Sequence, residues 1–178
     1  LKQRYAVTKN KVFTAYGKKC VCCGETTIEC LQIDHINGGG RKHKLSLKIN
    51  FYAWLVKNKF PSGFQTLCAN CNFAKARHGC CPHQSPVIPK RIKEKTDCFE
   101  AYGGAKCNSC GENKIAFLEI DHIDNNGGVL RKIDSRQVNI YRWLRLNNYP
   151  NGYQVLCSNC NWKKKILLIS NHGSKLPN

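Results

Sequence analysis

Four Cys-x-x-Cys pairs, at 20/23, 68/71, 107/110 and 157/160, set what this chain of 178 residues can fold into. Each pair makes a turn that aims two sulfurs at one point, and two such turns complete the tetrahedron of a structural zinc site. Cys20, Cys23, Cys68 and Cys71 are therefore expected to hold one zinc ion, and Cys107, Cys110, Cys157 and Cys160 a second. Cys23 rather than Cys22 is the ligand, because Cys23 aligns with Cys110 in the second set. The stretch between the two pairs of a set is longer than the roughly 15 to 20 residues of a simple zinc ribbon, so further elements must lie inside it. A unit of half this length has a small core, and bound metal then supplies a large share of its folding free energy.

The duplication extends beyond the cysteines. FTAYGKKCVCCGE (13–25) matches FEAYGGAKCNSCGE (99–112), and NFYAWLVKNKFPSGFQTLCANCN (50–72) matches NIYRWLRLNNYPNGYQVLCSNCN (139–161). Cys20 and Asp34 answer to Cys107 and Asp121 at one offset; Cys68 answers to Cys157 at an offset two residues longer. The second copy thus carries a longer loop ahead of its Trp-containing helix. We read two tandem units, 1–88 and 89–178, joined by CCPHQSPVIPKRIKEKT (80–96), whose three prolines favour an extended connector. Each unit reads as a helix, a strand (IECLQIDHI or IAFLEIDHI), a Gly-rich loop, a short amphipathic helix with core aromatics, a strand (FQTLC or YQVLC) and a closing helix. The fold class is α+β.

Against 29 Lys and Arg stand 11 Asp and Glu, a formal charge of +18. So large an excess on so short a chain is the electrostatic footprint of a polyphosphate partner, and nucleic acid is expected. No apolar run approaches the roughly 20 residues of a membrane span, and no basic amphipathic helix of the membrane-surface type stands out. Thirteen cysteines, an odd number, and no signal peptide point to a reducing compartment, cytoplasm or organelle, rather than a disulfide framework. A chain that opens on Leu1 and has no methionine is expected to start upstream. Cys22, Cys30, Cys80, Cys81 and Cys98 remain. Cys80, Cys81 and His83 are close enough in sequence to bind another ion, but have no full counterpart in the second unit and read as an ordinary group.

Each unit also carries an Asp-His pair at the end of its first strand, followed by glycines: IDHINGGG (33–40) and IDHIDNNGG (120–128). An imidazole can take a proton from water, and an adjacent carboxylate can hold a hard cation such as magnesium. Strand neighbours point to opposite faces, so both can serve one phosphate only where the strand ends or bends, and the glycines permit that. Asn72 and Asn161, directly after a knuckle cysteine, are the matching second ligands.

These residues, IDHIN with LCANCN and IDHID with LCSNCN inside a four-cysteine frame, resemble the HNH endonucleases of the ββα-metal fold, in particular their zinc-bearing branch. The likeness covers roughly 13–78 and 99–166. It implies two tandem ββα-metal units, hydrolysis of DNA leaving a 5′-phosphate, one catalytic divalent ion per unit beside the two structural zincs, His35 and His122 as general bases, and Asp34, Asp121, Asn72 and Asn161 as ligands of that ion, magnesium or similar. The family's middle Asn is missing; Gln65 and Gln154 stand nearby as substitutes. Two linked sites imitate a homodimer, so a monomer with internal pseudo-twofold symmetry could cut both strands of a duplex. Arg41, Lys42, Arg131, Lys132, Lys163, Lys164 and Lys165 are the expected phosphate contacts. The rival expectation is a catalytically silent, nuclease-derived binder, such as an RNA-binding component of an organellar ribosome. A finger-type regulator lacks its Cys-x-x-Cys…His-x-x-x-His helix.

Overall fold

The computed structural model describes residues 2–87, 89, 91–125 and 139–172, with side chains from residue 4 to residue 168. In chain order the elements are α1 (Lys2–Tyr16), β1 (Leu31–His35), α2 (Gly40–Ser46), α3 (Phe51–Lys57), β2 (Phe64–Cys68) and α4 (Ala69–His78), then α5 (Ile92–Ala101), a 3-10 turn (Ile115–Phe117), β3 (Leu118–His122), α6 (Ile140–Leu146), β4 (Tyr153–Cys157) and α7 (Ser158–His172). The architecture is α+β, and two tandem copies of one hairpin-and-helix arrangement are visible in it. Among the described residues no helix is long and apolar enough to cross a membrane.

Each copy is built on an antiparallel two-stranded hairpin with the same register: Leu31 opposite Cys68 and Asp34 opposite Gln65 in the first, Leu118 opposite Cys157 and Asp121 opposite Gln154 in the second. Alternation along β1 sorts its residues. Leu31 and Ile33 enter the apolar core, and His35 shares their face, while Gln32 and Asp34 turn toward α4. The closing helix follows the second strand without a loop, so the third knuckle cysteine ends the strand and the fourth lies in the helix's first turn. Gly79, in the left-handed region at φ 83°, ends α4 by donating its N–H to Lys75 O.

Two differences from the sequence reading have local causes. The Gly-rich stretch is not wholly loop: Gly40–Ser46 forms α2. The strand expected over 115–123 is a 3-10 turn followed by a shorter strand. The short aromatic helices occur where expected, and each is started by an asparagine whose Oδ1 accepts the N–H two residues on: Asn50 from Tyr52 and Asn139 from Tyr141.

The copies do not fold as separate beads. Val12, Phe13, Leu31 and Phe51 of the first belong to the same buried cluster as Phe99, Phe117, Leu118 and Val155 of the second. Between them the helix starts exchange caps: Asn70 N–H donates to Asn159 Oδ1 and Asn159 N–H to Asn70 Oδ1, each at 2.8 Å. Each asparagine thus satisfies a backbone donor that the first turn of the other helix cannot pair internally. Phe73 and Trp162 meet edge to face at 6.2 Å, and Arg77 of α4 pairs with Glu119 of β3 at 2.7 Å.

Candidate metal centres and Asp-His site

In each copy one knuckle lies between the first helix and the hairpin and the other on the step from hairpin to closing helix. A left-handed glycine closes each first knuckle, with Gly24 N–H donating to Cys20 O and Gly111 N–H to Cys107 O. The backbone then ties it to the second strand, Val21 N–H to Thr66 O and Asn108 N–H to Val155 O. The eight expected sulfurs converge as two tetrads, Cys20/Cys23/Cys68/Cys71 and Cys107/Cys110/Cys157/Cys160, with every pair of ligand atoms within 4.8 Å. Zinc–sulfur bonds of ~2.3 Å place tetrahedral sulfurs about 3.8 Å apart. The Cys23–Cys68 and Cys110–Cys157 separations are 3.6 and 3.7 Å, so both tetrads can hold zinc. All thirteen cysteines are free of disulfides.

The tetrads are electrostatically prepared for a cation. Hydrogen bonds from Cys68, then from Cys71, hold Cys20 far below the ordinary thiol range, and in the second unit a hydrogen bond from Cys157 lowers Cys160 to about 5. The partners rise: Cys71 through its bonds to Cys20 and Cys68, Cys157 through its bond to Cys160. Each tetrad therefore contains a hydrogen-bonded thiolate, Cys20 in the first knuckle and Cys160 in the first turn of α7, where the backbone dipole also favours negative charge.

The Asp-His pair stands at the strand end, as expected, and its two members face opposite ways. Asp34, its side chain 11 % exposed, accepts from Gln65 Nε2 at 2.8 Å and from Lys75 Nζ at 2.5 Å. Lys75 Nζ also donates to His35 O and Ile36 O, so three oxygens surround one ammonium. The second unit repeats this: Lys164 Nζ donates to Asp121 Oδ2, His122 O and Ile123 O, and Gln154 Nε2 to Asp121 Oδ2.

This geometry bears on three expectations. The helix residue that meets the carboxylate is Lys75 or Lys164, one turn beyond the asparagine. Asn72 Nδ2 donates instead to Gln32 Oε1 at 2.5 Å, and Asn161 Nδ2 to Glu119 Oε1 at 3.1 Å, because a helix residue meets the strand position level with it. Lys164, expected as a phosphate contact, here donates to Asp121 Oδ2 and to two backbone carbonyls. Gln65 and Gln154 donate to the aspartates. Of the other basic residues, Arg41, Lys42, Lys163 and Lys165 are exposed, with Lys165 lying over the Trp162 ring; Arg131 and Lys132 lie outside the described residues.

His35 packs its ring against Phe51, stacked at 5.3 Å, and against Phe64 at 4.7 Å. Its Nε2 is 2.7 Å from Nδ1 of His43, on α2, a residue that no sequence motif singles out. A Cβ on Gly40 would lie 2.8 Å from His35 Nδ1, so only glycine lets α2 come this close. Burial, then the neighbouring His43 and Lys44, lowers the His35 pKa from its usual value and favours the neutral ring. His122 meets Tyr153 at 4.7 Å.

The matched positions of Lys75 and Lys164, each three residues after the asparagine, were a usable signal: one helical turn puts them on the asparagine's face. His43 carried no such signal, since its contact with His35 depends on how α2 folds back. No family model matches this chain, and no curated protein or solved structure matches it.

Proposed function

We propose that each unit is a phosphodiester hydrolase of the HNH kind acting on nucleic acid, most simply double-stranded DNA. The observation that carries this reading is the oxygen-lined cation seat, present twice: a carboxylate and two backbone carbonyls at the end of a hairpin, followed in the chain, in the first unit, by a histidine whose pKa burial lowers. Oxygen donors of this type fit a hard divalent ion such as magnesium once the lysine withdraws, with Asp34 and Asp121 as its charged ligands and the amide oxygens of Asn72 and Asn161 one turn away on the same helices. Such an ion supplies Lewis-acid stabilisation of charge on a scissile phosphate.

The chain's own residues do the rest. The exposed basic side chains capture the phosphate backbone, an affinity that falls steeply with salt. Lys75 or Lys164, displaced from its carboxylate, moves its ammonium to the incoming phosphate, so the positive charge already in the seat is kept near the reaction rather than lost. His35, whose lowered pKa favours the neutral ring, accepts the proton of the attacking water after its Nε2 leaves His43 and the ring turns toward the Asp34 seat. His122 is the proton acceptor in the second unit. Gln65 and Gln154 keep the carboxylates aimed while the cation changes.

A second reading has its own support. The lysine bonds and the Asn72–Gln32 and Asn161–Glu119 bonds also serve as locks between hairpin and helix, which is what a silent nucleic-acid-binding descendant of a nuclease would retain. Plasmid cleavage separates the two. The zinc-loaded chain in magnesium should linearise supercoiled DNA, His35→Ala and His122→Ala should each leave nicked circles, and Asp34→Asn with Asp121→Asn should bind without cutting. Salt-sensitive binding with no cutting by the unaltered chain would leave the silent binder as the function.

A further inference from the structure

A third group of metal-ligating side chains lies against the first tetrad. Cys22, Cys71, Cys81 and His83 bring their ligand atoms within 4.8 Å of one another. His83 Nδ1 is 3.5 Å from Cys71 Sγ and 3.4 Å from Cys81 Sγ. Zinc bonds of ~2.3 Å to sulfur and ~2.0–2.1 Å to nitrogen place those two atom types about 3.6 Å apart in a tetrahedron, so the spacing fits one ion with three sulfurs and one nitrogen.

The chain is routed to make this group. Cys22 sits inside the first knuckle's turn. Gly79 ends α4 and reverses direction, and the turn that follows, with Gln84 and Ser85 N–H donating to Cys81 O, carries Cys81 and His83 back to the knuckle. Cys81 is buried although it belongs to the connector. The remaining thiols have ordinary contacts: Cys30 with Asn159 O, Cys98 with Tyr141 O and Cys80 with Ser85.

We propose that the first unit holds two zinc ions that share the thiolate of Cys71: one bound by Cys20, Cys23, Cys68 and Cys71, the other by Cys22, Cys71, Cys81 and His83. Seven side chains can complete two tetrahedra only by sharing one, and Cys71 is the residue common to both groups. The charge is also consistent. Six thiolates and two Zn2+ sum to the same −2 that four thiolates and one Zn2+ give in the second unit, so the extra ion balances the two extra sulfurs. The second unit is a natural control, because its sequence has Ser109 where the first has Cys22 and Ser170 where the first has Cys81. It therefore keeps one ion.

This extra ion has a structural consequence. His83 rests on Phe117 of the second unit at 5.1 Å, so a bond from zinc to His83 fastens the connector to the first knuckle and fixes the surface on which the second unit packs. In sequence Cys81 and His83 read as an ordinary group, for want of a counterpart; in the fold their partners are Cys22 and Cys71.

The test counts metal on the full chain. Native mass spectrometry of protein purified without chelator should give three zinc ions per chain, and the double variant Cys22→Ser/Cys81→Ser, which copies the second unit, should give two with its far-ultraviolet circular dichroism unchanged. Fully cobalt-loaded protein should show the paramagnetic resonance intensity of one uncoupled ion rather than three, because a bridging thiolate couples the other two antiferromagnetically. Two zinc ions in the unaltered chain would overturn the proposal, as would three in the double variant. Three uncoupled cobalt signals would overturn the shared bridge. None of these readings depends on whether the chain cuts nucleic acid.

Discussion

Replacing Lys75 by Met removes the ammonium from the first cation seat while keeping the apolar stem. The side chains of Lys75 and Asp34 are 27 % and 11 % exposed, so the pair is neither a surface contact nor fully desolvated. A charge-assisted hydrogen bond in such a place contributes about 2 kcal/mol, between the near-zero value of exposed pairs and the 3–5 kcal/mol lost on breaking a buried one. For a chain of this size that lowers the melting temperature by roughly 4–8 °C. Magnesium should then do what the ammonium did: at one hundred times its dissociation constant it restores about 2.7 kcal/mol by mass action. In the unaltered chain the ion must first displace Lys75, so the gain there is smaller. Thermal unfolding of zinc-loaded protein, with magnesium compared against sodium chloride of equal ionic strength, reads all four values. A Lys75→Met variant that melts with the unaltered chain, or that magnesium does not raise, refutes the idea that this is a cation seat.

Three further outcomes follow from other contacts. Burial, then the nearby Arg77, lowers Lys95 to about 8, partly opposed by Glu119. An unfolded lysine keeps its proton up to about pH 10.5, so between pH 8 and 10.5 the unfolded chain binds the extra proton and stability rises with pH. Below pH 8 the buried charge costs on the order of 2 kcal/mol after discounting for partial exposure, and Lys95→Met should be the more stable chain at pH 7 in urea titrations, the difference closing by pH 10.5. Asn159→Ala removes the cap that Asn159 gives α4 and should cost about 1 kcal/mol in the same titration, whereas no change would deny the exchange of caps a stabilising role. Arg41→Ala and Lys163→Ala should each weaken binding of duplex DNA and lower its salt slope by roughly 1, measured by fluorescence anisotropy; an unchanged slope places that residue away from the phosphates.

What the sequence made legible was whatever repeats or is local. The four Cys-x-x-Cys turns, the hairpin strands ending in FQTLC and YQVLC, the short aromatic helices and the Asp-His pair at a strand end all follow from spacing and period, and the structure contains them. What escaped depended on distant parts of the chain meeting. The seating of Lys75 against Asp34 joins a helix to a strand, and its repetition as Lys164 against Asp121 is hidden in the sequence because lysines on a basic chain read as surface charge. Cys22, Cys81 and His83 come together only because α4 reverses at Gly79. Placing His43 against His35 required a helix inside what read as a glycine loop, and the glycine that seemed to mean flexibility, Gly40, marks a close approach.

On the proposed function, each of the two oxygen-lined seats exchanges its ammonium for a divalent ion. Paramagnetic resonance of Mn2+ titrated into the zinc-loaded chain counts them directly. Two bound Mn2+ per chain, lost when Asp34 and Asp121 are both changed to Asn, is the predicted result; a chain with its zinc complete that leaves all added Mn2+ free in solution would contradict it.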